Sequence, residues 1–212
     1  MTDARASTFL WVDEDTPTVP RPVAATARRG SMPAEAGLWV FVLGDMTLFG
    51  AFFTVFTHEL SQDRALFERS ADALHPSIGA VNTLLLLVSS YLVILALRGT
   101  RQSLSAPSAG WLVGAMACGG AFVVSKAVEY TLELSAGNTP ATGTFFTFYY
   151  VLTGVHLLHV AIGMTLLAVW WRRCRRGDAV GRIFREGVAI YWHMVDLLWL
   201  VIFALVYLGS AG

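Results

Sequence analysis

The chain has 212 residues, 55% of them hydrophobic and only 14% charged, and its fifteen basic and fifteen acidic residues leave a formal net charge of zero. Soluble domains carry about 25% charged residues. The deficit excludes an ordinary water-solvated domain, and a mean hydropathy of +0.58 points to lipid as the solvent. There are two cysteines, Cys118 in an apolar stretch and Cys174 in an arginine-rich loop. They exclude a disulfide scaffold and show no metal–cysteine pattern.

Residues 1–35 form a polar arm with Pro17, Pro20, Pro22 and Pro33 and an acidic run at 13–15. No apolar core of a signal peptide precedes residue 36, so none is expected. The arm is expected to be flexible and cytoplasmic, with a short amphipathic start around Phe9. Five apolar stretches follow, at about 36–57, 77–97, 111–133, 144–171 and 187–208. Each approaches the ~20 residues a spanning helix needs. Each is apolar on most faces, whereas a soluble amphipathic helix confines its apolar residues to one stripe. Five such helices would leave a soluble protein too little polar surface to cover them. The expected fold class is therefore all-α, a polytopic bundle of five transmembrane helices in one domain, residues 36–212, without internal repeats.

The arginines orient the bundle. Arg5, Arg21, Arg28 and Arg29 precede the first stretch, Arg98 and Arg101 follow the second, and Arg172, Arg173, Arg175, Arg176, Arg182 and Arg185 follow the fourth. All twelve fall on one side; the other side has Arg64 and Arg69. The positive-inside rule then places the N-terminus in the cytoplasm and the C-terminus outside. Trp39, Trp111, Trp170, Trp171 and Tyr207 stand near span ends, where amphipathic rings favour the interface. Gly110 and Gly114, and Ala115 and Gly119, are spaced for close helix packing.

Asp45, Lys126, Glu129, His156, His159, His193 and Asp196 are ionisable residues within or near the apolar stretches. Each costs at least ~2.5–3.5 kcal/mol in hydrocarbon, so each needs a partner or a purpose. Counting at ~1.5 Å per residue, Asp45, His156, His159, His193 and Asp196 fall at depths that allow one shared layer. Lys126/Glu129, His156/His159 and His193/Asp196 are i,i+3 pairs, and residues three apart share a helix face. Lys126 and Glu129 are expected to neutralise each other, His193 to donate to Asp196, and the pair His156/His159 to face a carboxylate on another helix. The same histidines with Asp196 are numerous enough for a zinc or non-haem iron site, but an i,i+3 histidine pair in a bundle is more often a hydrogen-bonding element. Asp45 reads either as a proton-exchanging carboxylate or as a donor that fixes helix packing.

Five segments carry a resemblance. The first stretch reads Leu38-Trp39-Val40-Phe41-Val42-Leu43-Gly44-Asp45, a Trp followed six positions later by an acid. The second opens Ala80-Val81-Asn82-Thr83-Leu84, and the third ends Lys126-Ala127-Val128-Glu129-Tyr130. Thr153-Gly154-Val155-His156-Leu157-Leu158-His159 and Tyr191-Trp192-His193-Met194-Val195-Asp196-Leu197-Leu198-Trp199 complete the set. In this order, over residues 37–208, the chain resembles subunit III of the haem-copper oxidases, the cytochrome c oxidase subunit 3 family, in its short five-helix form. The resemblance implies a non-catalytic subunit, without catalytic, cofactor-binding or metal-ligating residues of its own. Haem and copper are expected in a partner subunit I, subunits I and II are the expected partners together with membrane lipids including structural phospholipid, and no nucleic acid is expected. The location implied is a bacterial-type plasma membrane. The role implied is to stabilise subunit I and support its proton uptake, with Asp45 at the position of the family's buried acid.

Three departures stand out. Asp45 replaces the usual Glu, Lys126 the usual Gln, and Val155 and Leu157 replace Phe and Gly of the main branch. With the aromatic run 145–150 they resemble the subunit-III-like accessory proteins of nitric oxide reductases, which is the alternative partner reading. An independent membrane enzyme or transporter is a further one, although the paired discontinuous helices of transporters are not visible. Glu129 is expected to approach the histidines of the fourth or fifth stretch, with Lys126 partly offsetting the acids.

Overall fold

The computed structural model describes residues 32–71, 74, 76–102 and 105–209. The expected polar arm lies outside the described residues except for its last four, which open the first helix. The described chain is helical: α1 Met32–Gln62, α2 Arg64–Ala71, α3 Pro76–Arg101, α4 Ser105–Ser135, α5 Thr144–Arg176 and α6 Arg182–Phe203, the last continued by a π-helical turn, Ala204–Leu208. Among the described residues there is no strand. Five helices are long and apolar enough to cross a membrane: Ala36–Gln62, Pro76–Arg101, Pro107–Ser135, Thr144–Arg176 and Arg182–Leu208. The chain is thus an all-α, multi-pass membrane protein. Every span outruns its apolar stretch, because a helix pairs its backbone groups internally and continues into polar flanks at no hydrogen-bonding cost.

The boundaries have local causes. Asp63 sits outside the helices and its Oδ1 accepts the Leu66 amide at 3.1 Å, the N-cap interaction that starts the short α2. Pro76 opens α3, where a missing N–H costs nothing. At the end of α5, Gly177 adopts φ 72° and its amide reaches back to Arg173 and Cys174 carbonyls, while the Asp178 amide also bonds Arg173 O at 3.1 Å. This left-handed turn favours glycine and ends the helix after its last arginines.

α6 is the most enclosed span: 56% of its most apolar stretch is buried within the chain, against 11% for α1. It packs on α3, α5 and α1, while α3 packs mainly on α4 and α4 on α5. Trp192 is fully buried and reaches the backbone of both α4 and α5. A Cβ at Gly163 would lie 2.6 Å from its ring, and one at Gly119 would lie 3.2 Å from it and 2.7 Å from Met164 Sδ. Its indole N–H donates to Ser89 Oγ at 3.1 Å, and Ser89 donates to Ala115 O at 2.9 Å, tying α6, α3 and α4 together. Gly110 does not share this close packing: nothing lies within 4 Å of an added Cβ. Trp39 and Trp111 are exposed as membrane-interface rings should be, but Trp170 and Tyr207 are buried. Those two serve the core, because they lie on the inward faces of α5 and of the π-helical turn.

The ends that carry the arginines meet. Arg101 at the end of α3 contacts Glu186 near the start of α6 at 2.8 Å, and Arg182 contacts the same carboxylate at 3.1 Å. Arg185 donates to Thr100 O at 3.3 Å. The arginine clusters of α3 and α6 therefore occupy the same end of the bundle.

Candidate functional site

Six of the seven ionisable residues fall into three groups, and His156 stands apart from them. The first joins α1 to α5. His159 Nδ1 is 2.8 Å from Val155 O on its own helix. A carbonyl can only accept, so this contact places a proton on Nδ1. The other ring nitrogen, Nε2, is 3.1 Å from Asp45 Oδ2, outside the angular range of a hydrogen bond. Phe49 of α1 packs edge-on against the same imidazole at 5.5 Å, and Tyr191 of α6 donates to His159 O at 3.1 Å. Asp45 and His159 thus form a carboxylate–imidazole contact, largely enclosed by α1, α5 and α6.

The second group is a closed cage between α4, α5 and the π-helical turn. Lys126 is fully buried and Glu129 nearly so. Lys126 Nζ donates to Glu129 Oε2 at 3.0 Å, to Tyr149 Oη at 3.1 Å and to Tyr207 Oη at 3.0 Å. Both phenols donate in turn to Glu129 Oε1, Tyr149 at 2.9 Å. All three ammonium protons and both carboxylate oxygens are used, which is the condition for a buried ion pair to be tolerable. The ammonium also lies 4.8 Å from the Tyr149 ring centroid and 5.4 Å from that of Trp199. Tyr130 shares a 2.6 Å hydrogen bond with Thr153 beside it. No hydrogen bond joins Glu129 to His156, whose ring nitrogens are without partners; the two phenols take the carboxylate instead.

The third group lines the α3–α6 seam. His193 Nδ1 is hydrogen-bonded to the Ser90 hydroxyl, and its expected donation to Asp196 is absent: the Asp196 oxygens are buried without a hydrogen bond. His156 is separate again. It is fully buried, both ring nitrogens lack a partner, and its ring lies 5.7 Å from Phe122 and 5.3 Å from Trp199. It shares a helix face with His159 but points into the aromatic core. Among the described residues no three His, Cys, Asp or Glu side chains converge to hold a metal ion.

Sequence reasoning missed Tyr149, Tyr207, Ser89, Ser90 and the Val155 carbonyl. The adjacent serines in an otherwise apolar run were a usable signal. The tyrosines were not, since phenols near span ends are ordinary interface residues.

A family model for cytochrome c oxidase subunit III matches residues 31–211. The chain belongs to the cytochrome c oxidase subunit III family. A Synechocystis protein named cytochrome c oxidase subunit 3 is 31% identical over 175 residues, covering 81% of this chain and 74% of its own. A Staphylococcus aureus protein named probable quinol oxidase subunit 3 is 28% identical over 182 residues, covering 82% and 88%. The match includes every span, so the Asp45–His159 pair and the Lys126 cage both lie within the subunit III domain.

Proposed function

We propose that this subunit III is a non-catalytic companion of a haem-copper oxidase in a bacterial plasma membrane. It packs beside the catalytic subunit I, stabilises it during turnover and supports its proton uptake. The haem and copper of the complex belong to subunit I, and subunit II completes the expected assembly. The observation that carries the proton-uptake part is the Asp45–His159 pair. A carboxylate and an imidazole 3.1 Å apart set side by side two groups of the kinds that accept and release protons, the apparatus that proton transfer uses. By contrast, the Lys126–Glu129 cage is saturated with hydrogen bonds and reads as structural.

The first test is purification of the tagged chain from native membranes in mild detergent, with mass spectrometry and a haem spectrum. Recovery with subunits I and II, haem and copper is the expected result. Recovery with nitric oxide reductase subunits instead would transfer the stabilising role to that complex, and a lone colourless protein would overturn the subunit reading. In the assembled oxidase, Asp45→Asn is expected to slow proton uptake during turnover without loss of subunit III. Unchanged uptake would reduce Asp45 to a packing element.

A further inference from the structure

α6 is the most enclosed span, yet one strip of it stays open. His193, Asp196, Leu197 and Leu200 follow one another at i, i+3, i+4 and i+7, the spacing of a single helix face. Leu197 and Leu200 are exposed, His193 is partly buried and Asp196 is 7% exposed. Across the seam α3 sets the Ser90 hydroxyl against His193 Nδ1, with Leu87 and Tyr91 exposed beside it. The strip is therefore apolar except at one point, where an imidazole, a hydroxyl and a carboxyl group lie together. Asp196 stands one residue from the centre of the span Arg182–Leu208, and Ser90 within two of the centre of Pro76–Arg101. At ~1.5 Å per residue, the ends of α6 are roughly 20 Å away from the carboxyl group.

Neither oxygen of Asp196 is in a hydrogen bond among the described residues, although the Ser90 hydroxyl is beside it, turned to His193. A carboxyl group at this depth meets no water, and acyl chains have no donor to offer, so leaving it unmet is costly. A second copy of this chain would bring two more acceptor oxygens, with only the same imidazole and hydroxyl as donors. What fits is an apolar helix with a side-chain hydrogen-bond donor at its middle. We propose that the α3–α6 strip is where this subunit docks against a membrane-spanning helix of a partner subunit, and that a donor on that helix meets Asp196. Docking of this kind takes the chain to be one subunit of a larger membrane complex, as proposed for its function. The exposed leucines pack against the partner, and the polar contact fixes the depth at which the two helices meet, as interhelical hydrogen bonds do in apolar surroundings.

Photo-crosslinking of the full chain in native membranes tests the face. Leu197, and separately Val124 on the exposed face of α4, is replaced by p-benzoylphenylalanine, and cross-linked peptides are identified by mass spectrometry. Leu197 is expected to capture a spanning segment of another subunit that carries a donor near its middle, and Val124 is not. Capture of lipid alone or of a second copy at Leu197, or of the partner at Val124 only, would overturn the assignment. A chain that purifies without any partner would instead remove the subunit reading, and the docking face with it. Asp196→Val gives a second readout, since it keeps the branched shape and removes the acceptors. Recovery of the partner in mild detergent should fall about tenfold, the contribution of one hydrogen bond to a carboxylate. The thermal midpoint of the purified chain should hold or rise, because no internal hydrogen bond is lost. Unchanged partner recovery, or a midpoint that falls along with it, would contradict the docking role. Should Asp196→Val not accumulate in the membrane, the Leu197 cross-link decides, since it leaves Asp196 in place.

Discussion

A lysine with no exposed surface is tolerated only where every ammonium proton has an acceptor, and Lys126 meets that condition through Glu129, Tyr149 and Tyr207. Lys126→Met would strand the Glu129 carboxylate among aromatic rings. It should cost about 3–5 kcal/mol, the usual penalty for removing one partner of a buried pair, seen as a lower thermal midpoint in detergent. The double variant Lys126→Met/Glu129→Gln should recover much of that loss, since it removes the orphaned charge as well. If the double variant is no better than the single, packing of the lysine stem rather than charge governs the site. The i,i+3 spacing made the Lys126–Glu129 contact legible beforehand, because three residues on a helix bring two side chains to one face. The two phenols that complete the cage were not legible. They come from α5 and from a π-helical turn, elements separated from α4 by up to 81 positions.

The glycines show how an element-level motif divides in use. Gly110/Gly114 and Ala115/Gly119 have the same small-residue spacing, yet Gly119 abuts Met164 and Trp192 while Gly110 faces open space. The strongest demand falls on Gly163, outside either motif, where an added Cβ would lie 2.6 Å from the Trp192 ring. Gly163→Ala should therefore displace Trp192 and cost roughly 1–3 kcal/mol, the range for overpacking a full core. Gly110→Ala should be neutral or stabilising by up to about 1 kcal/mol, since alanine favours a helix interior and meets nothing there. Thermal denaturation of the two variants side by side checks the contrast, and a larger loss at Gly110 would contradict the packing described. The π-helical turn at Ala204–Leu208 has the same character. Its closing bond, Gly209 N to Ala204 O at 2.7 Å, spans five residues instead of four and belongs to the stretch that presents Tyr207 to Glu129.

For the whole molecule, the arginine-bearing ends of α3 and α6 are joined by Arg101–Glu186 and Arg185–Thr100 contacts. Five spans predict chain ends on opposite sides, and the positive-inside rule predicts that the arginine side faces the cytoplasm. Alkaline phosphatase fused after Gly212 should accordingly be active, and a fluorescent protein fused before Met1 should fluoresce. An inactive phosphatase fusion beside a correctly inserted chain would reverse the orientation.

The sequence by itself determined the solvent, the number and order of the spans and the family. Hydropathy, charge asymmetry and short motifs are local properties, each readable within one helix length. It also marked seven ionisable residues that lipid would penalise, though not Glu133, buried near the end of α4. Only the tertiary structure decided their company: Asp45 with His159, Lys126 and Glu129 with two tyrosines, His193 with Ser90, His156 among aromatic rings. The rotation and register of one helix against another depend on side-chain packing across the bundle, where a difference of one residue turns a group by about 100°, and no single stretch of sequence contains that information.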